Sequence, residues 1–307
     1  MHIREAGNKD IPQILKVLKA SLGETSSKKT EEVWRYKHVD NPFGESLVLV
    51  AEEDGELIGV RAFMRWKWQK GDKVYSTFRA VDTATHPNHQ GKGIFKRLTL
   101  KALELGEEYG DHFVFNTPNA QSKPGYLKMG WQEVNNLQIQ LRPVNLFQFN
   151  NKEISYETVG YVDTVKPLLL ANFEQLKKSN KLFTPKDIEY IKWRYLHNPL
   201  QNYVVIFDKE YFIAGYIKKR KRFHEFRISE VIVSKYGKKS AKSAILNLAD
   251  SSEARVLSIS PGTNISFKAG ITGNFGPVLT FKPINIYQSE FLNLNSWTYS
   301  LGDLELF

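Results

Sequence analysis

The chain has 307 residues, 41% hydrophobic and 25% charged, a balance that excludes disordered and fibrous classes and, at this length, favours two globular domains. It contains no cysteine, which excludes disulfides, thiolate zinc sites and an acyl-cysteine intermediate, so any group transfer must be direct. A net charge of +10 and a pI near 9.4 favour anionic partners: nucleic acid, a membrane surface or a polyanionic small molecule.

The first residues, Met1-His2-Ile3-Arg4-Glu5, lack an apolar secretory core, and no apolar run approaches the roughly 20 residues of a membrane span. A cytoplasmic protein without membrane insertion is expected. A strand over 3–6 leads to Asp10, which caps an amphipathic helix over 11–22 with Ile11, Ile14, Leu15 and Leu18 at helical spacing. Strands over 47–51 and 57–68 flank the turn Asp54-Gly55. In the second of these, Arg61, Arg65 and Lys67 alternate with Met64, Trp66 and Trp68, the pattern of a half-buried strand whose basic face could also meet an acidic acceptor. A third strand, 75–85, stops at His86-Pro87, because proline donates no ladder hydrogen bond.

The next segment, Gln90-Gly91-Lys92-Gly93, opens a helix at Gly93-Ile94 whose face is read as Phe95, Leu98, Ala102, Leu105 and Tyr109. Glycines there allow unusual φ angles and let a ligand touch backbone amides at the positive end of a helix. Lys92, Lys96 and Arg97 crowd the same end, where acidic residues are usual, so a bound anion such as a pyrophosphate is implied. His86 and His89 are loop residues near solvent or phosphate. A strand over 112–115, a short helix over 122–128 ending at Gly130, and a strand from Trp131 follow.

One unit recurs. Trp34-Arg35-Tyr36, Asn41-Pro42, a strand, a turn and a strand carrying Gly59 match Trp193-Arg194-Tyr195, Asn198-Pro199, a strand, a turn and a strand carrying Gly215. The Pro-to-Gly intervals are 17 (42 to 59) and 16 (199 to 215). The second half adds a helix over 165–178, strands near 203, 212 and 228, a helix over 239–250 and a strand over 255–260, with a linker near 147–152. The run Lys218-Lys219-Arg220-Lys221-Arg222 reads as a solvated hairpin tip more readily than as a nucleic-acid patch.

The order strand, proline, glycine-rich loop, helix, strand, Asn, Tyr, Gly-aromatic resembles the GNAT superfamily of N-acetyltransferases. Gln90 and Gly93 stand at fixed positions of the family's loop pattern. Phe95 occupies the third, where the family carries a small residue, a departure that bears on the geometry of the pyrophosphate. Asn119, Ser122, Tyr126, Gly130 and Trp131 are similar to the family's later run, with Ser for Ala and Trp for Phe.

The resemblance implies an α/β (α+β) fold of two tandem GNAT-like domains, 1–148 and 153–307, each a mixed, mostly antiparallel sheet flanked by helices. The second is a worn copy: Ser234-Lys235-Tyr236-Gly237-Lys238-Lys239 lacks the Gly-x-Gly core, so no second cofactor site is expected. The arrangement is similar to Eis-like acetyltransferases, in which a terminal carboxylate reaches the first domain's site; here Leu304-Glu305-Leu306-Phe307 is either a plain edge strand or the segment that brings the Phe307 carboxylate there. The implied co-substrate is acetyl-coenzyme A, held by Thr83, Ala84, Thr85, Gln90, Gly91, Lys92, Gly93, Ile94, Phe95, Asn119 and Ser122. No metal is called for, and the acceptor is an amine on a small molecule or peptide. By the resemblance Tyr126 supplies the proton for the leaving thiolate. Asp82 is a candidate base, directly or through water, or an ordinary strand carboxylate. A catalytically silent coenzyme A sensor or scaffold and a basic nucleic-acid binder stand as alternatives.

Overall fold

The computed structural model describes residues 1–23, 28–144, 161–286 and 289–304. The linker read at 147–152 and the terminal carboxylate of Phe307 lie outside these residues. In chain order, the first half runs β1 (His2–Glu5), α1 (Ile11–Leu22), α2 (Glu31–His38), β2 (Leu47–Glu53), β3 (Glu56–Lys70), β4 (Lys73–Thr85), α3 (Ile94–Glu108), β5 (Phe113–Asn116), α4 (Lys123–Lys128), β6 (Gln132–Asn136) and β7 (Ile139–Pro143). The second runs α5 (Tyr161–Lys177), α6 (Ile188–Ile191), β8 (Val204–Phe207), β9 (Tyr211–Lys219), β10 (His224–Val233), α7 (Lys238–Asp250), β11 (Val256–Ile259), β12 (Ile271–Gly273), β13 (Val278–Pro283) and α8 (Leu301–Leu304).

These strands form two mixed, mostly antiparallel sheets in the orders β1-β2-β3-β4-β5-β13-β6 and β12-β7-β11-β10-β9-β8. Each contains one parallel pair, β4 with β5 and β10 with β11. From the hairpin onward the two sheets follow one plan, β2-β3-β4-β5-β13-β6 beside β8-β9-β10-β11-β7-β12, and each half supplies one strand to the other's sheet. Strand β7 pairs with β11 and β12, whereas β13 pairs with β5 and β6. Neither β7 nor β13 carries enough periodicity to be read as a strand from sequence, and their exchange makes the two sheets mutually dependent.

The repeated motif has a structural basis. Asn41 Oδ1 accepts from the Phe43 amide at 2.9 Å, and Asn198 Oδ1 accepts from the Leu200 amide at the same distance. Both are Asx turns, in which a side chain mimics a backbone turn before the next strand. The two copies also meet: Tyr36 and Trp193 stack at 5.1 Å, and Trp193 Nε1 donates to the Tyr36 carbonyl at 2.8 Å.

Alternation along β3 sends Met64, Trp66 and Trp68, all fully buried, into the aromatic core between the sheets, with Phe113, Phe115, Phe212 and Trp297. The opposite face is more deeply covered than a half-buried strand suggests, because Arg61 is fully buried and Arg65 ion-pairs with Asp111. Helix α3 buries Ile94, Leu98 and Ala102, while Tyr109, expected on that face, is exposed and donates to Glu5 at 2.7 Å. The helix is turned by contact with Gly59 of β3: a Cβ there would stand 2.7 Å from Ile94 Cγ2 and 3.2 Å from Leu98 Cδ1. The missing side chain thus lets the first turn of α3 sit on the sheet.

Glycine 59 sets how closely the loop before α3 approaches β4, so overpacking at that position has two effects. Gly59→Val is expected to destabilise the protein by about 1–3 kcal/mol in urea unfolding, because Ile94 is β-branched and cannot swing aside. A midpoint unchanged from wild type would show that this contact is not limiting.

Candidate active site

Strand β4 pairs with β3 along its whole length to Thr85, but its parallel pairing with β5 covers only Thr77, Phe78 and Arg79. Beyond Arg79 the two strands diverge. A bulge sharpens the divergence: Arg61 faces Thr83 and Ala62 faces Val81, leaving Asp82 as the extra residue, with φ +35. Between the parted strands, α3 and α4 lies a cavity of about 1020 Å³.

The cavity gathers the residues singled out in the sequence. Asp82, Thr83, Ala84 and Thr85 line it from β4, Gln90, Gly91, Gly93, Ile94 and Phe95 from the loop and helix start, and Asn119, Ser122 and Tyr126 from the segment after β5. Lys92 alone of the predicted set is not in the wall, and its amine lies 3.4 Å from His89 Nδ1 instead. The glycines on either side of Lys92 are both left-handed, Gly91 at φ +79 and Gly93 at φ +72. A Cβ at either glycine would meet nothing within 4 Å, so that side of the loop is open to a ligand. Gly93 caps α3 without a side chain to accept the first-turn amides, and the first turn holds no acidic residue.

Phe95, the departure from the loop pattern, has a local explanation. Its ring stands edge-on to Tyr126 at 5.6 Å, and a Cβ on Gly125 would lie 3.0 Å from it. Gly125 of α4 makes the room that a small residue at 95 would otherwise give. Asn119 spends its side-chain oxygen on the turn before α4, accepting from the Ser122 amide at 2.9 Å and the Ser122 hydroxyl at 3.0 Å. The turn places Tyr126, which is almost fully buried between Phe95 and Trp131 and accepts a hydrogen bond from Arg61 Nη1 at 2.7 Å.

Asp82 is not an isolated strand carboxylate. It ion-pairs with Lys37 and lies 2.9 Å from His38 Nε2, both from the end of α2, while His38 Nδ1 lies 2.9 Å from the Ser46 hydroxyl. A carboxylate only accepts, so Nε2 carries the hydrogen and Nδ1 accepts from Ser46. Burial by itself would raise the Asp82 pKa, but the charge of Lys37 and the bond from His38 outweigh it and hold the carboxyl well below the usual range. Burial lowers the pKa of His38, against the pull of Asp82, and keeps the ring neutral. Lys37 and His38 directly follow the Trp-Arg-Tyr motif and are the residues sequence reasoning passed over, because a helix end 44 positions from Asp82 gives no local signal.

Two long-range contacts finish the wall. Asn116, at the end of β5, accepts from the Thr280 hydroxyl of β13 at 2.6 Å. Arg79 of β4 donates to the carbonyls of Asp303 and Leu304 at 3.3 and 2.6 Å, fixing α8 beside the strand that leads into the cavity. In the second sheet the equivalent helix start is closed. A Cβ on Gly237 would lie 2.3 Å from the Glu210 carbonyl, and the Glu210 carboxylate accepts from Ser240 at 2.5 Å.

A sheet parted at a bulge, with a glycine loop and an uncapped helix start at its mouth, leaves an open helix N-terminus of the kind that binds anions. The model of the acetyltransferase (GNAT) domain matches residues 2–134, so the likeness to that family lies in the first half of the chain. Among solved structures, the chain is similar to a probable N-acyltransferase of Enterococcus faecalis V583 (TM-score 0.65, 10% identity, covering 92% of this chain and 73% of that one). It is also similar to a GCN5-related N-acetyltransferase of Anabaena variabilis (TM-score 0.65, 14% identity, 92% and 73%). A third, Eis1 of Mycobacterium abscessus, aligns with TM-score 0.61 and 12% identity over 95% and 75% of the two chains. At these identities the likeness is one of fold over both halves. No curated protein matches the chain. Among the described residues no helix is long and apolar enough to cross a membrane.

The pKa shifts of His38 and Asp82 carry a pH dependence of stability. Both are lowered in the folded state, so each contributes stability that is present above its unfolded value and lost as pH falls, from about 6.5 for His38 and about 3.8 for Asp82. Urea midpoints are expected to fall between pH 7.5 and 5.5, and His38→Gln to flatten that slope. An equal slope in the variant would place the titration elsewhere.

Proposed function

We propose that the protein moves an acetyl group from acetyl-coenzyme A directly to an amine. The observation that carries this reading is the continuity of one cavity from the left-handed glycines at the start of α3 to the phenol of Tyr126. The residues present fit the co-substrate. The open backbone at Gly91 and Gly93 and the amides of the first turn suit a diphosphate, with Lys96 in the same wall. The free edge of β4 at Thr83, Ala84 and Thr85 offers backbone groups to an extended amide-bearing arm, as a missing neighbouring strand would.

Acetyl-coenzyme A supplies the activated thioester. The protein's part is to exclude water, hold the reacting carbon, stabilise charge on the carbonyl oxygen through backbone N–H groups of β4, and protonate the departing sulfur from Tyr126. Asp82, held as an anion by Lys37 and His38, is a poor proton acceptor near neutral pH. Its role in this reading is electrostatic, fixing the bulge and orienting Lys37 at the cavity wall. The acceptor therefore arrives as a neutral amine or loses its proton to solvent.

Two measurements test this. Gly93→Asp places a carboxylate on the anion site at a strained φ and is expected to weaken acetyl-coenzyme A binding by at least about tenfold in titration calorimetry. Unaltered affinity would remove the helix start from the binding site. Tyr126→Phe is expected to lower kcat about a hundredfold in a free-thiol assay over an amine panel, with KM for acetyl-coenzyme A nearly unchanged. Full turnover by this variant would sink the acid assignment, and binding without turnover by the wild type would favour a sensor.

A further inference from the structure

Arg61 is fully buried, yet it has no carboxylate within ion-pair distance among the described residues. It lies on β3 opposite Thr83, at the bulge, beneath three aromatic rings: Phe63, Phe95 and Tyr126, at 4.7, 5.6 and 5.2 Å from its guanidinium carbon. Its Nη1 donates to the Tyr126 oxygen at 2.7 Å, while Nε and Nη2 meet no hydrogen-bond partner among the described residues. A charge held this way is costly, and an aliphatic side chain would fill the same space without that cost.

The chemistry of the pair explains what the charge does. A guanidinium has five N–H donors and no acceptor, so the Tyr126 oxygen accepts and its own hydrogen cannot point at Arg61. Phe95 and Trp131 pack against the ring and hold it in place, while the Arg61 donor takes one acceptor site of the oxygen. The phenolic hydrogen is therefore turned away from Arg61.

We propose that Arg61 is a positioning residue for Tyr126: it fixes the direction of the phenolic hydrogen and holds the phenolate once that hydrogen has left. The proposal rests on the reading of Tyr126 as the acid. In the step concerned, the Tyr126 O–H bond breaks and an S–H bond forms on the departing thiolate. The negative charge passes to the phenolate, where the bond from the Nη1 of the guanidinium becomes one between two ions and strengthens. The phenolate then regains a proton from solvent or from the ammonium product before the next turnover.

The test is a double-mutant cycle on the full chain, with kcat and KM for acetyl-coenzyme A measured by thiol release and folding checked by thermal unfolding. Arg61→Gln, which can accept as well as donate, is expected to lower kcat about tenfold with KM within about twofold. Arg61→Lys, still a donor only, is expected to recover most of that loss. In the Tyr126→Phe background, Arg61→Gln is expected to cost less than about twofold more, because the group it orients is gone. Wild-type kcat in Arg61→Gln overturns the proposal, as does an equal loss with and without the Tyr126 hydroxyl, which would mean that Arg61 acts through packing. Should Arg61→Gln fail to fold, Arg61→Met, which fills similar space but donates nothing, carries the same cycle: an equal loss in both backgrounds or no loss in either overturns the proposal, and a loss confined to the Tyr126 background supports it. Full turnover by Tyr126→Phe alone overturns the acid reading itself, a result distinct from any failure of Arg61.

Discussion

Strand β4 holds β3 to its last residue but releases β5 after Arg79, and the site follows from that release. Two strands that stop pairing leave backbone groups without a ladder, a cost that must be met by another partner. The bulge at Asp82 deepens the gap by adding a residue to one strand only. Asp82 sits there in a left-handed conformation uncommon for a residue with a side chain, held by Lys37 and His38. The wedge between β4 and β5 is therefore stabilised from α2 rather than from within the sheet.

The second half supports this wedge from outside. Strand β13 closes the far edge of β5, where Thr280 fixes Asn116, and Arg79 ties α8 to the base of β4. A buried cluster, in which Lys186 meets Glu230 at 2.6 Å and Asp303 at 3.0 Å, anchors α8 from the other side. Exchange of β7 for β13 means that the first sheet is complete only with a strand from the second half, and the reverse. The duplicated half has lost the counterpart of the glycine loop. The carbonyl of Glu210 lies against the cap Gly237, and the Glu210 carboxylate is bonded to Ser240 in the first turn of α7. One copy keeps an open helix start and the other has sealed it with its own chain.

Much of the site was legible because its parts are local. Proline at 87, glycines at 91 and 93 and a basic first helical turn all act within one short segment, so their physics is written in adjacent letters. The same holds for Asn119, which caps its own turn, and for Tyr126 four residues after Ser122. Asn41 and Asn198 were visible as repeats for the same reason: each Asx turn is closed by a side chain two residues from the amide it binds.

What remained illegible depends on distance along the chain. The sequence by itself determined the end of β4 at Thr85, the glycine loop, the helix that follows it and the repeated motif, because turn chemistry and periodicity act over a few residues. Only the tertiary structure decided that Lys37 and His38 would meet Asp82, that Gly125 would make room for Phe95, and that Arg61 would lie under Tyr126. Strand exchange was decided there too, since β7 and β13 are short, and a short strand is specified by the edges available to it rather than by its own pattern.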